Sequence, residues 1–160
     1  AVLERIRKER ETKNPPLLYN LAELQNECSR YLKISPDETL KIVQELYEKK
    51  LVTYPRTDAR VLSTAVSKEI YKNIRGLAAL DYAGGFVQEV LAGEAYKKIA
   101  STRYVMISRS RPLAIIPTGQ GLSALRSVGG HGAKIYEMIV RRFLSIFYPP
   151  AVYQKVNLVP

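Results

Sequence analysis

Residues 46–63, LYEKKLVTYPRTDARVLS, decide how the rest of the chain is read. They begin on a helical stripe, Leu40, Val43, Leu46 and Tyr47, that carries a helix to about Lys50. The next four residues, Leu51-Val52-Thr53-Tyr54, are β-branched, aromatic or aliphatic and turn the chain extended. Side chains alternate along an extended segment, so Tyr54 and Arg56 would project to the same side. The helix before them has a strong start: Ser35 as N-cap, Pro36 at the first helical position, and acids in the first turn. Further upstream Asn20 caps another helix, with Glu23 three residues on and a stripe of Leu21, Leu24, Cys28, Tyr31 and Leu32. Helix, short turn, helix, strand is the outline of a helix-turn-helix or winged-helix unit.

Downstream, Ser63 or Thr64 opens a third helix over 63–75. Gly76 and the Gly84-Gly85 pair mark 76–85 as a loop that admits a short helix at 77–80. FVQEVLAGEAYKKI reads as a helix that Gly93 divides or ends, and Tyr104–Ile107 as a strand. GQG at 119–121 and GGHG at 129–132 read as loops around a short helix at 122–127. The last helix, 133–147, turns Ile135, Met138, Ile139, Phe143 and Ile146 to one side and is stopped by Pro149-Pro150. At the ends, residues 1–14 form a charged connector with a helix in VLERIRKERE, stopped by NPP at 14–16, and AVYQKVNLV alternates like a strand. A chain that runs off mid-strand at Pro160 reads as the edge of an excised segment. The expected fold is mainly α: a compact helical domain with a helix-turn-helix or winged-helix core and a few short strands.

The composition points to a polyanionic partner. With 160 residues the chain fits one domain, and 25 Lys plus Arg against 15 Asp plus Glu give +10. The isoelectric point is near 9.7, which favours nucleic acid over an anionic membrane; a merely soluble basic protein is the bland alternative. Eleven tyrosines and no tryptophan suit aromatic faces among cations, as single strands require, although many must be core. Apolar runs are short and interrupted by charge, and the N-terminus lacks the apolar centre of a signal peptide. One cysteine, Cys28, precludes an internal disulfide and suits a reducing cytoplasm, where a nucleoid-associated protein would work. One His and one Cys leave no Cys/His set for zinc.

Residues 46–63 resemble the active-site signature of type IA DNA topoisomerases of the topoisomerase III kind. In that family a helix ending in Leu-Tyr-Glu leads into Tyr-x-Arg-Thr-Asp. NPPLLYNLAELQNECSRYL is similar to the family's lead-in, AIIPTGQGLSAL at 114–125 to its Ala-Ile-x-Pro-Thr element, and IYEMIVRRFLSIFYPPAVY to its returning helix. These elements stand in family order over roughly residues 14–155. The resemblance implies a mostly helical tyrosine domain with a CAP-like core at 15–150, residues 1–14 arriving from a β-rich domain and 151–160 returning to it. It also implies DNA as partner, single-stranded by preference, alongside the enzyme's remaining domains, with no membrane. The implied activity is breaking and rejoining DNA strands.

The chemistry suits the residue types. Reversible strand breakage needs a nucleophile that attacks phosphorus and keeps the bond energy in a phosphodiester, which a tyrosine phenolate does. By resemblance, Tyr54 attacks the scissile phosphate, becomes linked to the 5′ end and leaves a free 3′-OH. Free tyrosine has a pKa of about 10, so positive charge or a base must assist it. The planar fork of Arg56 suits two phosphate oxygens, and removing such a clamp typically costs on the order of 100- to 1000-fold in rate. Asp58 can orient Arg56 or the strand, transfer a proton, or simply cap the turn before Arg60. Thr57 and Thr118 are candidate hydroxyl donors to phosphate; the alternative for Thr118 is that it ends a strand. Lys49, Lys50 and Arg60 flank the tyrosine and either track a strand backbone or form a solvated helix end. Arg103, Arg109 and Arg111 make a cationic stretch before the Ala-Ile-Ile-Pro-Thr element and are read as phosphate contacts.

Two departures temper the resemblance. The family usually carries histidine two residues before the Ala-Ile pair, in an Asp-His-x-Ala-Ile run; here the stretch is Arg111-Pro112-Leu113-Ala114. The lone His131 lies in a Gly-rich stretch that does not match. The family's magnesium-binding, acidic Toprim domain also has no counterpart: Mg2+ would be bound by a domain absent from this chain. The expectation is therefore an enzyme segment inactive alone. The rival is a non-catalytic winged-helix or single-strand DNA-binding module, although the mixed acids and lysines of helix 36–50 make a poor duplex-reading face.

Overall fold

The computed structural model describes residues 7–106, 113–148 and 151–157. It is mostly helical, with short strands. An antiparallel ribbon joins β1 (Arg7–Lys13) to β4 (Ala151–Asn157), pairing Arg7 with Asn157 and Lys13 with Ala151. The helix expected in VLERIRKERE is corrected over residues 7–11, where RKERETK is a strand because cross-strand pairing with β4 outweighs its helical composition; residues 2–6 lie outside the described residues.

Side chains set the helix starts. α1 (Leu21–Leu32) begins where Asn20 Oδ1 accepts the Glu23 N–H at 2.8 Å. α2 (Pro36–Glu48) begins where Ser35 Oγ accepts the Glu38 N–H at 3.1 Å, with Pro36 on the first turn. α2 ends in a Schellman motif: Leu51 N–H reaches the Leu46 carbonyl and Lys50 N–H reaches that of Tyr47. Lys50 takes the left-handed φ of 66° that this motif demands, costing a non-glycine residue about 1 kcal/mol. The turn is what swings the chain from helix into the extended residues ahead of Tyr54.

α3 (Thr64–Gly76) is capped by Ser63 and runs into a 3₁₀ turn at Leu77–Ala79. Just before it, β2 (Leu62–Ser63) lies parallel to β3 (Val105–Met106). α4 (Gly84–Ala92) and a 3₁₀ segment, Ala95–Ser101, pack against α3. A 3₁₀ turn at Leu122–Ser127 precedes α5 (Gly130–Ser145), which packs on α2. Two loops were therefore expected where helices start: Gly84-Gly85 open α4 and Gly130 opens α5, so His131 stands exposed in its first turn. The first turn tolerates glycine because its N–H groups have no intrahelical partners to lose.

The core gathers Leu18, Leu24 and Cys28 from the first helical layer, Val43 and Leu46 from α2, Ile70 and Ile74 from α3, and Ile135, Ile139 and Phe143 from α5. It also takes Leu51, Val52, Ala114, Ile115 and Ile116. That second group matters most here, because it anchors both sequence elements nearest the tyrosine.

Candidate active site

Tyr54 stands between two buried anchors. Val52 is 1% exposed and Pro55 is buried, whereas Tyr54 is 50% exposed, and Arg56 and Asp58 are exposed as well. The alternation expected of an extended segment is present, and it turns residues 54, 56 and 58 to solvent while Val52 and Pro55 hold the backbone down. The segment is not flat: Thr57 N–H bonds the Pro55 carbonyl at 2.9 Å, a three-residue turn centred on Arg56. Thr57 Oγ1 then accepts the Ala59 N–H at 3.1 Å, tightening the next turn.

The neighbouring segment, residues 114–118, is joined to its surroundings by isolated bridges. Val52 bridges Pro117, Thr53 N–H bonds the Ile116 carbonyl at 3.0 Å, and Thr118 N–H bonds that of Leu51 at 3.0 Å. Thr53 Oγ1 adds two more links, donating to the Ala114 carbonyl at 2.9 Å and accepting the Ile116 N–H at 3.0 Å. From the other side, Leu18 and Leu21 N–H groups bond the Arg60 and Thr57 carbonyls, and Asn20 Nδ2 reaches the Asp58 carbonyl at 3.3 Å. The chain around Tyr54 is thus clamped by two segments distant in sequence.

A groove opens beside the tyrosine. Leu17, Thr53, Tyr54, Arg56, Asp58, Arg60, Val66 and Met106 are among its walls. Tyr47, from the last turn of α2, meets Tyr54 edge to face, with centroids 5.3 Å apart and planes at 74°. Among the described residues, the side chains of Arg56 and Asp58 have no ion-pair or hydrogen-bond partner. An exposed phenol, an uncommitted guanidinium and an uncommitted carboxylate therefore share one open wall.

A family model described as DNA topoisomerase matches residues 1–159. The chain belongs to the type IA DNA topoisomerase family. It is 34% identical over 160 residues to DNA topoisomerase 3 of Bacillus licheniformis, covering 99% of this chain and 21% of that protein. To DNA topoisomerase 3 of Bacillus subtilis it is 34% identical over 161 residues, covering 99% of this chain and 22% of that one. It is similar in fold to full-length topoisomerase I from Thermotoga maritima, with a TM-score of 0.60 and 23% identity, over 93% of this chain and 23% of that one. The chain thus spans about a fifth of the length of the curated relatives it matches.

Within this topoisomerase segment the expected site residues fall into three groups. Tyr54, Arg56, Thr57, Asp58 and Arg60 line one groove. Arg60 is tied down inside it: Nε donates to the Leu18 carbonyl at 3.0 Å and Nη2 to that of Leu17 at 3.4 Å. Lys49, Lys50 and Thr118 lie at the α2 exit behind the tyrosine strand. Lys49 Nζ donates to Ser127 Oγ at 2.6 Å and pairs with Glu45 at 3.5 Å; Thr118 Oγ1 donates to the Lys50 carbonyl at 2.6 Å. Lys50 itself is exposed. Arg103 stands exposed beside the Tyr104 ring, 5.9 Å from its centre. Arg109, Arg111 and the departing Pro112 lie outside the described residues.

Three contributors escaped the sequence reading. Tyr47 continues the helical stripe of α2, yet it is 39% exposed and faces Tyr54. Its place next to Leu46, at the edge of that stripe, was the available signal. Thr53 and Asn20 position the tyrosine segment through bonds to distant backbone, for which local sequence carries no signal. A half-buried network supports the same segment: Arg142 pairs with Glu27 at 2.7 Å, lies 4.1 Å over the Tyr19 ring and donates to the Leu17 carbonyl at 2.8 Å. Tyr19 donates its hydroxyl to Glu27, and burial followed by that bond holds the phenol well above the ordinary tyrosine range.

Proposed function

We propose that this chain is the strand-breaking and rejoining segment of a type IA topoisomerase, with Tyr54 as the nucleophile. The observation that carries the reading is the half-exposed Tyr54, raised between buried Val52 and Pro55, with Arg56 and Asp58 on the same wall and without a side-chain partner among the described residues. A single strand enters the groove and presents a phosphate to the phenol. The Tyr54 oxygen bonds to phosphorus, the bond from phosphorus to the 3′ oxygen breaks, and that oxygen takes up a proton as the free 3′-OH. The same hydroxyl later attacks the phosphotyrosine and restores the strand. Arg56 clamps the phosphate oxygens as charge develops on them. Asp58, one step further along the exposed edge, orients that guanidinium or the strand. Thr57, Arg60, Lys49, Lys50, Arg103, Arg109, Arg111 and Thr118 are proposed to line the strand's path.

Among the described residues no group of three His, Cys, Asp or Glu side chains stands close enough to hold a metal ion. The described residues do not fit a magnesium site. We assign Mg2+ to an acidic domain outside this chain, and infer that the chain forms little covalent adduct without it. The β1–β4 ribbon, which brings both ends of the chain together, supports a reading in which it joins this domain to a β-rich neighbour and moves as a stem. The proposed setting is cytoplasmic and nucleoid-associated. Among the described residues no helix is long and apolar enough to cross a membrane.

The test is a detergent-resistant adduct assay on a labelled single-stranded oligonucleotide with magnesium. The chain alone should give little adduct, and supplying the missing acidic domain should restore it. Tyr54→Phe should abolish the restored adduct, and Arg56→Ala should slow it roughly 100- to 1000-fold. Adduct that persists in Tyr54→Phe would show the nucleophile to be wrongly chosen. Robust adduct from the chain alone would remove the requirement for a second domain.

A further inference from the structure

A second cleft lies between α3 and the 3₁₀ segment Ala95–Ser101, with no part in the chemistry assigned to Tyr54. Ser67, Lys68, Tyr71, Tyr96, Lys97 and Ala100 line it. Two aromatic rings meet there: the centroids of Tyr71 and Tyr96 are 6.3 Å apart and their planes are tilted by 42°. Tyr71 is 37% exposed, and Lys72 Nζ sits 6.0 Å from its ring centre. Tyr71 lies outside the core, which is filled on this side by Ile70, Ile74 and Ile99, while half-buried Tyr96 packs against its edge.

The chain spends strain to build this arrangement. After α4, Glu94 adopts a left-handed φ of 54°, which costs a non-glycine residue about 1 kcal/mol. The turn folds the 3₁₀ segment back onto α3, buries Ile99 and brings Tyr96 to Tyr71. Strain of this kind persists where the surrounding structure imposes it, often at a binding site.

Charge complements the rings. Residues 64–76 and 94–106 carry six Lys or Arg (68, 72, 75, 97, 98, 103) against two Glu (69, 94). The two carboxylates hold their lysines only loosely: Lys97–Glu94 at 3.0 Å and Lys72–Glu69 at 4.0 Å, with every partner more than half exposed. Such surface pairs contribute little and exchange readily for another anion. Aromatic faces ringed by exchangeable cations are the combination that takes up unpaired bases and their phosphates.

We propose that this cleft is a second contact site for single-stranded nucleic acid, stacking a base on Tyr71 or Tyr96 and holding the adjoining phosphate with Lys68 and Lys97. Val66, on the wall of the Tyr54 groove, and Tyr71 both stand on α3, about 7.5 Å apart along its axis at ~1.5 Å per residue and about 140° apart around it. An acidic peptide would use the lysines but leave the ring pair without purpose. The choice of ligand rests on the single-strand reading of the Tyr54 site, whereas the test below bypasses Tyr54 chemistry.

Binding of labelled oligothymidylate is measured across a salt series, with every variant made in a Tyr54→Phe background. Tyr71→Ala and Tyr96→Ala should each weaken binding roughly 5- to 100-fold, while Tyr71→Phe and Tyr96→Phe keep the parent affinity because they keep the ring face. Lys68→Gln should lower the slope of log affinity against log salt by about 0.7. An oligonucleotide bearing 5-iodouracil should photocrosslink to Tyr71 or Tyr96. Alanine variants that bind like the parent, phenylalanine variants that fail like alanine, or crosslinks confined to residues 54–61 would each overturn the proposal. Those results leave the adduct assay untouched, and a failed adduct assay leaves these measurements standing.

Discussion

Replacing Glu27 with alanine should destabilise the domain by about 3 kcal/mol, although Glu27 touches no residue of the proposed chemistry. Its carboxylate is 18% exposed and its partner guanidinium, on Arg142, 10% exposed, so water screens the pair weakly. Removing one member of such a pair typically costs 3–5 kcal/mol, because the other is left charged and buried. The lower end applies here. Arg142 keeps its 2.8 Å bond to the Leu17 carbonyl and its place over the Tyr19 ring. Tyr19 loses the acceptor for its hydroxyl, which adds to the cost instead of relieving it. With a urea m-value of about 2 kcal/mol/M, the unfolding midpoint should fall by about 1.5 M. For a chain of this length the thermal midpoint should drop by about 6–12 °C. Glu27→Gln retains a hydrogen-bond acceptor and should lose about half as much. The pair Glu27→Met with Arg142→Met removes both charges and should be less damaging than the two single changes added together. Equilibrium urea unfolding of the parent, Glu27→Ala, Glu27→Gln, the two methionine single variants and their double decides the matter. A Glu27→Ala cost under 1 kcal/mol, or a double variant that is strictly additive, would mean the network carries no coupled energy.

Two further outcomes test other parts of the structure. A Cβ on Gly76 would stand 2.2 Å from the Gly119 carbonyl oxygen and 2.6 Å from its Cα, contacts that backbone cannot yield. Gly76→Ala should therefore cost about 3 kcal/mol or more, while Gly85→Ala, with nothing within 4 Å of its Cβ, should be neutral or stabilising; equal effects in thermal unfolding would contradict the close approach of α3 to the 117–121 loop. Stability should also decline at high pH. Burial, reinforced by Glu137, pushes Tyr82 up to about 12, and burial with the bond to Glu89 does the same to Tyr148. Both folded pKa values exceed the unfolded value of about 10, so the unfolded chain loses protons first and stability falls as pH rises from 10 to 12. Burial likewise pushes the Cys28 thiol up to about 11, starting a loss near pH 9. A urea midpoint that stays flat from pH 9 to 12 would refute these assignments.

The parts of the fold legible in the sequence were those governed by neighbours a few residues away. Asn20, Ser35 and Ser63 cap helices because a short polar side chain can reach an N–H two or three positions on, and that reach is a local property. The exposure of 54, 56 and 58 around buried Pro55 follows in the same way from period-two alternation, which buried Val52, of the same parity, breaks. Local signals failed where distant pairing decides. RKERETK is charged enough to read as a helix, and only its partner 151–157 makes it a strand. The two-residue parallel contact of Leu62–Ser63 with Val105–Met106 is beyond any local pattern. Tyr47 misled for a different reason: helical periodicity separates faces, but it does not say whether a residue at the boundary of a stripe ends in the core or at a site.

The site's construction bears on how such a domain can move. Tyr54 is held by backbone bonds from residues 18–21 to 57–60 and from 114–118 to 51–53. Arg60 and Arg142 both bond the Leu17 carbonyl, so the 17–21 segment is itself braced from two sides. Arg142 comes from α5, whose inward face packs against α2, the helix that ends at the tyrosine strand. Displacing Tyr54 relative to this body would therefore break several buried hydrogen bonds together, at roughly 1 kcal/mol or more for each. A gating motion that opens a path for a second strand is better placed where fewer contacts are lost. Among the described residues, the two-stranded β1–β4 ribbon lies outside this set of braces and joins the two ends of the domain. Two-stranded ribbons are marginal by themselves and bend and twist readily. On the proposed function, the tyrosine travels as part of a rigid block and the ribbon absorbs the motion. The phenol, Arg56 and Asp58 would then keep their mutual geometry throughout a cycle of breakage and rejoining.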